Sequence, residues 1–148
     1  MSLPVAKNMN IPPHPKGETM KAVCFSRFGK DPEEVLEVKT IPKPFIIDGS
    51  GKNQVLIKVY AAALNPIDKV RLSGSLAAIA PEEYLDNSVL GYDVSGIIEE
   101  VTGESSFKVG DEVFANLFLT RMHYGGLAEY VVCNTAEVGR KPSNIRYV

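Results

Sequence analysis

The segment Asn65-Pro66-Ile67-Asp68 carries polar side chains at a spacing that could do chemistry. A helix that begins at Pro66 also accounts for it, because asparagine caps helix N-termini and proline suits the first helical position. An aspartate in the first turn complements the helix dipole. The Asn65 amide could in addition donate a hydrogen bond to a carbonyl or a ribose hydroxyl. On local evidence alone, the purely structural interpretation is favoured.

A second candidate is the pair Tyr92 and Asp93, which lies in a glycine-containing segment. Gly91 is typical of a turn into a strand, and Gly96 inside that strand would let another backbone approach closely. Asp93 needs a hydrogen-bonding partner if it is buried. This segment therefore also has a structural explanation.

Other catalytic and binding motifs fail on spacing. Residues 49–52 suggest a phosphate loop, but Ile46 stands where its first glycine should be, Asn53 follows the lysine, and a strand follows instead of a helix. No Gly-x-Gly-x-x-Gly motif of a dinucleotide-binding fold occurs. His14 and His123 are far apart, and neither has a second metal ligand at a suitable spacing. The sequence therefore predicts no metal site and no phosphate loop.

The elements that must position Asn65 and Asp93 are mostly short strands. One short helix is expected over residues 66–72, with Asn65 as its cap, Pro66 in the first helical position and a stop at Gly74. In the longest apolar run, Val55, Ile57 and Val59 share one face of a strand. Many short strands with turn residues between them indicate a β-rich barrel or sandwich. Strands are predicted over residues 21–26, 35–40, 54–62, 92–101, 112–115, 127–133 and 137–141, with a break over 41–44 and a possible helical turn over 81–84.

Domain organisation follows from length and proline content. Residues 1–19 contain four prolines and are predicted to be a flexible extension, and residues 20–148 are long enough for one domain with a core. With 45% hydrophobic and 23% charged residues, the composition is that of an ordinary globular protein.

Charge and cysteine content narrow the partners and the compartment. The formal net charge of −2, with interspersed signs, argues against a nucleic-acid partner and against binding to an anionic membrane. Cys24 and Cys133 lie in apolar runs typical of buried strands, although a disulfide between them stays possible. The low cysteine count and the lack of an apolar signal segment favour the cytoplasm. An arginine-free, proline-rich start gives only weak support to a mitochondrial location.

Several segments, taken in chain order, resemble the medium-chain dehydrogenase/reductase superfamily. The resemblance implies a mainly β, GroES-like fold, a partly open β barrel with short helices, in which residues 20–148 form the catalytic domain. It also implies that the nucleotide-binding Rossmann domain is absent from this chain. The segments that carry the resemblance are Met20-Lys21-Ala22-Val23, Val35-Leu36-Glu37-Val38, Gln54-Val55-Leu56-Ile57-Lys58-Val59, residues 62–68, Leu90-Gly91-Tyr92-Asp93-Val94-Ser95-Gly96, Gly110-Asp111-Glu112-Val113 and residues 126–132.

The branch of the superfamily follows from the positions of the zinc ligands. Zinc alcohol dehydrogenases place a cysteine where this chain has Asn65 and a His-Glu pair where it has Tyr92 and Asp93. Their four-cysteine zinc lobe has no counterpart, because residues 115–125 contain no cysteine. An amide and a phenol are poor zinc ligands. The chain therefore resembles the zinc-free quinone oxidoreductase and enoyl reductase branch, and no bound metal is expected.

The resemblance implies an activity for the longer parent protein. NADPH, bound mainly by the missing domain, would deliver hydride to a quinone or an α,β-unsaturated carbonyl, and hydrogen-bond donors would stabilise the developing oxyanion. Asn65 and Tyr92 are the implied catalytic residues, and Asn65 and Asp68 the implied cofactor-binding residues. Asp68, with Arg71, is also expected to hold the loop and the helix in place. The implied substrate cleft contains Tyr92, Asp93, His123 and Tyr124.

The substrate, the activity of the isolated chain and the enzymatic role each have a qualification or an alternative. Leu76 stands where mitochondrial-type enoyl thioester reductases carry a tyrosine, so acyl-thioester reduction by that residue is not supported. The isolated chain is expected to be inactive, and a homodimer would form through the missing domain. The competing hypotheses are a non-enzymatic GroES-like interaction module and an inactive reductase homologue.

Overall fold

The computed structural model describes residues 13–47, 52–78, 85–117 and 124–147. Short strands dominate these residues, as the turn-punctuated sequence predicts. Two short α-helices are Pro32–Val35 (α1) and Pro66–Leu72 (α2), and a 3₁₀ turn spans Thr135–Glu137. The strands are Thr19–Phe25 (β1), Glu37–Pro42 (β2), Gln54–Ala63 (β3), Ser88–Val89 (β4), Asp93–Thr102 (β5), Glu112–Asn116 (β6), Tyr130–Asn134 (β7) and Val138–Arg140 (β8).

The strands form two antiparallel sheets. One has the order β2-β1-β4, and the other has the order β7-β3-β5-β6-β8. An isolated bridge between Ala22 and Ala128 joins them, and the Val23 N–H donates to the Leu127 carbonyl at 2.9 Å. Neither sheet closes on itself, so the predicted partly open, GroES-like β fold is confirmed.

The largest apolar core lies on one face of the five-stranded sheet. Val55 and Ile57 are buried in it and Val59 packs against it, which confirms the predicted strand face. Gly96 of β5 lies opposite Val59, beside a register shift in β3. A Cβ at Gly96 would collide with the Lys58 carbonyl oxygen, so the predicted close backbone approach is also confirmed.

The strand prediction over residues 35–40 is wrong at both ends. Val35 closes α1, because the Asp31 side chain accepts from the Glu33 N–H at 3.0 Å and Pro32 fits the first helical position. Strand β2 extends two residues into the predicted break over 41–44 and ends at Pro42, since Ile41 pairs with β1 and is buried there. Tertiary pairing here outweighs the local proline signal.

Other strand boundaries also differ from the prediction, because backbone N–H groups there donate to carbonyls of distant loops instead of to a neighbouring strand. Residues 127–129 were predicted as strand, but the Leu127 N–H donates to the Leu90 carbonyl at 2.9 Å, and β7 begins only at Tyr130. Glu137 belongs to the 3₁₀ turn that precedes β8. Strand β4 was not predicted at all, because two residues give no periodicity.

The predicted extension is partly described. Strand β1 begins at Thr19, and just before it Glu18 forms an ion pair with Lys43 at 3.1 Å, while His14 makes an edge contact with Phe45. Three predicted segments lie wholly or partly outside the described residues. They are the start of the extension (1–12), most of the glycine-containing loop (49–51) and the possible helical turn (81–84).

The structure also bears on the possible disulfide and on membrane-spanning helices. Cys24 and Cys133 are both buried, and no disulfide joins them. Among the described residues, no helix is both long and apolar enough to cross a membrane.

Candidate functional site

Asn65 stands where strand β3 gives way to helix α2. It occupies the N-cap position, with Pro66 as the first helical residue, and Gly74 follows the helix end with a φ of 82°. The predicted start and stop of this helix are thus confirmed. The Asn65 N–H donates to Asp68 Oδ2 at 2.8 Å, so the cap and the first turn are tied together.

The buried Asp68 carboxylate links helix α2 to the turn before β5. Its second oxygen, Oδ1, accepts from the Gly91 N–H at 2.7 Å, and the residue is only 3% exposed. Gly91 has a φ of 93°, and a Cβ there would press on the backbone of residues 126 and 127. Asp68 therefore fixes the distance between the two segments that carry Asn65 and Asp93. Both oxygens bind backbone groups, and a direct cofactor contact from Asp68 stays a prediction.

Asn65 and Asp93 meet in the structure, as members of a cluster of three polar residues. Asn65 Nδ2 donates to Asp93 Oδ2, and Asn116 Nδ2 donates to Asp93 Oδ1 at 2.6 Å. We call Asn65, Asp93 and Asn116 the amide–carboxylate cluster. Asn65 and Asp93 are half-buried and Asn116 is exposed, so the cluster is accessible from solvent.

Sequence reasoning missed Asn116. It is the last residue of β6 and lies directly opposite Asp93, the first residue of β5. The sequence signal that could have indicated it was an asparagine directly after the predicted strand over 112–115. The register that places it opposite Asp93 is a tertiary property that periodicity alone does not reveal.

Tyr92 lies in the interior, beside Arg71, rather than in the cluster. It is 6% exposed, and its hydroxyl has no hydrogen-bond partner within the described residues. Burial raises the pKa of Tyr92, and the nearby Arg71 charge partly opposes that rise. The structure thus brings Tyr92 together with Arg71, and no described hydrogen bond joins it to Asn65 or Asp93.

Arg71 is a buried cation that also connects helix α2 to strand β4, a few residues before Asp93. It is 1% exposed, its Nη1 donates to the Val89 carbonyl at 2.9 Å, and its guanidinium lies 5.1 Å from the Phe25 ring centroid. Desolvation lowers the pKa of Arg71, while Tyr92 and Asp68 oppose that change. These contacts agree with its expected role in holding the helix in place.

The two remaining cleft candidates are described unequally. Tyr124 is half-buried, and burial raises its pKa. It precedes the Gly125-Gly126 pair, in which the Gly126 N–H donates to the Gly91 carbonyl at 2.7 Å. Tyr124 therefore lies near the turn that carries Asp93. His123 lies outside the described residues.

The residues at the expected metal position do not fit zinc. The Asn65 amide nitrogen donates to Asp93, and the Tyr92 hydroxyl is in the interior, so a single carboxylate is left as a ligand. Over the described ranges, no group of three histidine, cysteine, aspartate or glutamate side chains is placed to hold a metal ion.

Comparison with known proteins identifies the protein family to which this chain belongs. Residues 51–143 match the family described as the alcohol dehydrogenase GroES-like domain. The chain belongs to this family, and the predicted membership of the medium-chain dehydrogenase/reductase superfamily is confirmed.

The individual relatives are oxidoreductases. The chain is 35% identical over 133 residues to the chloroplastic NADPH-dependent alkenal/one oxidoreductase of Arabidopsis thaliana, covering 86% of this chain and 32% of the relative. It is also 35% identical to the quinone oxidoreductase of Lama guanicoe, covering 86% of this chain and 35% of that protein. Among solved structures, the quinone oxidoreductase from Coxiella burnetii matches with a TM-score of 0.76 at 34% identity, covering 88% of this chain and 39% of that one. The chain thus spans about a third of the length of the curated relatives it matches.

Proposed function

We propose that this chain is the catalytic domain of an NADPH-dependent, zinc-independent oxidoreductase that reduces quinones or α,β-unsaturated carbonyls by hydride transfer. The observation that carries the proposal is the amide–carboxylate cluster at the junction of β3 and α2. The names of the relatives, which specify alkenal and quinone substrates, supply the substrate class.

The chemical task of the cluster is to present a hydrogen-bond donor to an oxygen that gains negative charge. An asparagine amide nitrogen carries two hydrogens, and Asp93 accepts only one of them from Asn65. The second hydrogen can bind a substrate carbonyl oxygen or a hydroxyl or carboxamide of the coenzyme. A donor held in place before the reaction stabilises an oxyanion more than mobile water does.

The coenzyme, when bound, supplies the hydride, and this chain provides few of its contacts. Asn65 is the residue we expect to touch it, whereas the sequence contains no Gly-x-Gly-x-x-Gly loop for its phosphates. We therefore propose that the nucleotide-binding residues lie elsewhere in the whole protein. On this basis the 148-residue chain alone should not oxidise NADPH.

Zinc independence rests on the donor set. In the proposed mechanism the amide of Asn65 takes the place of a Lewis acid, and Asp93 orients that amide rather than binding a metal. A chelator should therefore leave the activity of the whole protein unchanged.

The test uses the full-length protein that contains this chain. NADPH oxidation is measured with a quinone and with an unsaturated aldehyde, for the wild type, N65A and a matched control, N144A, at an exposed turn position. We expect kcat/KM to fall by about 10²-fold in N65A, as for loss of an oxyanion donor. The N144A variant should be unaffected. Thermal unfolding of each variant separates this loss from the weaker helix cap.

Two outcomes would contradict the proposal. Failure of the full-length protein to bind NADPH would favour the non-enzymatic interaction module, and NADPH binding without reduction of either substrate would favour the inactive reductase homologue. Activity that a chelator abolishes and zinc restores would refute zinc independence.

A further inference from the structure

The contact between Asn65 and Asp93 depends on a third side chain. We propose that Asn116 is a positioning residue of this site: by holding one oxygen of the Asp93 carboxylate, it fixes the group that orients the Asn65 amide. The catalytic consequence rests on the proposed function, whereas the effect on Asn65 does not.

Sheet geometry makes Asn116 the natural partner of Asp93. In the five-stranded sheet Asp93 pairs with Ala63 of β3 on one side and with Asn116 of β6 on the other. Alanine offers only a methyl group, so hydrogen bonding from a paired residue comes from Asn116. Just past the end of β6, the Leu117 N–H donates to the Tyr92 carbonyl at 2.6 Å and fixes the backbone of both strand ends.

One hydrogen bond alone would leave the carboxylate free to turn. The terminal torsion of an aspartate has a broad energy minimum, so contacts at both oxygens are needed to define the plane of the group. Asp93 has one amide donor on each oxygen, Asn65 on Oδ2 and Asn116 on Oδ1. A carboxylate accepts and cannot donate, so the NH₂ end of the Asn65 amide must face it. Asn116 thereby also helps to decide which end of that amide faces the ligand.

The first experiment measures kcat, KM and thermal stability of the full-length protein. N116A removes the donor, N116D keeps the shape but places a second carboxylate beside Asp93, and N144A is the exposed control. We expect kcat to fall about 10-fold in N116A, because small misplacements of a reacting group cost 10- to 100-fold in rate. N116D should lose more at neutral pH, since two like charges repel.

The pH profile distinguishes positioning from a merely structural role. A protonated carboxyl can donate to its neighbour, so the activity of N116D relative to wild type should recover as pH falls into the acidic range. N116A has no proton to regain and should show no such recovery. Because Asn116 is exposed, the melting temperature should change little in either variant.

A second experiment needs no enzymatic activity. In the ¹⁵N-labelled 148-residue chain, the side-chain NH₂ resonances of Asn65 should move in N116A and stay in place in N144A. Unchanged Asn65 resonances in N116A, or a wild-type kcat in N116D at neutral pH, would overturn the inference. Shifted Asn65 resonances in the 148-residue chain, together with a full-length protein that never oxidises NADPH, would refute the proposed function and leave the positioning role intact.

Discussion

Replacing Asp68 by asparagine, D68N, tests how the two halves of the candidate site are joined. The carboxylate is 3% exposed and accepts from the Asn65 N–H at 2.8 Å and from the Gly91 N–H at 2.7 Å. The amide of D68N has the same shape but one acceptor oxygen. One backbone N–H must therefore face an NH₂ group, donor against donor, in a buried place.

The expected cost follows from these contacts. A hydrogen bond to a charged group contributes about 1.5–3 kcal/mol, and a buried donor left unsatisfied costs about 1–3 kcal/mol. The two figures describe the same lost contact and overlap, so we expect D68N to lower the free energy of unfolding by about 2–4 kcal/mol. The buried Arg71 cation also loses the favourable charge of Asp68 nearby, so the upper part of that range is expected.

Urea unfolding of the 148-residue chain, followed by far-ultraviolet circular dichroism, is a suitable assay because the sequence has no tryptophan. E100Q is the control, since it removes one negative charge at an exposed position of β5. A D68N variant within about 0.5 kcal/mol of E100Q, at an unchanged denaturant slope, would refute the assigned role of the carboxylate.

Two further predictions concern packing and the Tyr92 hydroxyl. G96A should destabilise the domain by about 3 kcal/mol or more in chemical denaturation, because the new methyl group meets the Lys58 carbonyl. The matched variant G139A should cost less than about 1.5 kcal/mol, because only the exposed Phe114 ring must move. Equal costs for the two glycine variants would contradict the close backbone approach. Y92F should keep kcat within about twofold and change stability by less than about 1 kcal/mol in either direction, because no described hydrogen bond of the hydroxyl is lost, while the buried Arg71 loses a polar neighbour. A large fall in kcat would instead show that this hydroxyl reaches the substrate, as the family resemblance implies.

The predicted elements succeeded where local signals agree with the final fold. Helix α2 begins and ends as predicted, because cap, proline and positive-φ glycine all act within a few residues. The strands that flank the site were also found, with boundaries shifted by one residue at Asp93 and at Ala63. Strand β2 failed, because its start is set by the Asp31 cap and its end by pairing of Ile41 with β1.

The sequence by itself determined the fold class, the family and the start and stop of helix α2. Each of these follows from periodicity, from ordered motifs or from capping signals within a few residues of one another. The tertiary structure alone decided the membership of the site. Strand register brings Asn116 opposite Asp93, and burial turns the neighbouring Tyr92 toward Arg71. Side chains alternate between the two faces of a strand, and the face that meets solvent depends on which strands pair, so neighbouring residues in the chain can end in opposite environments.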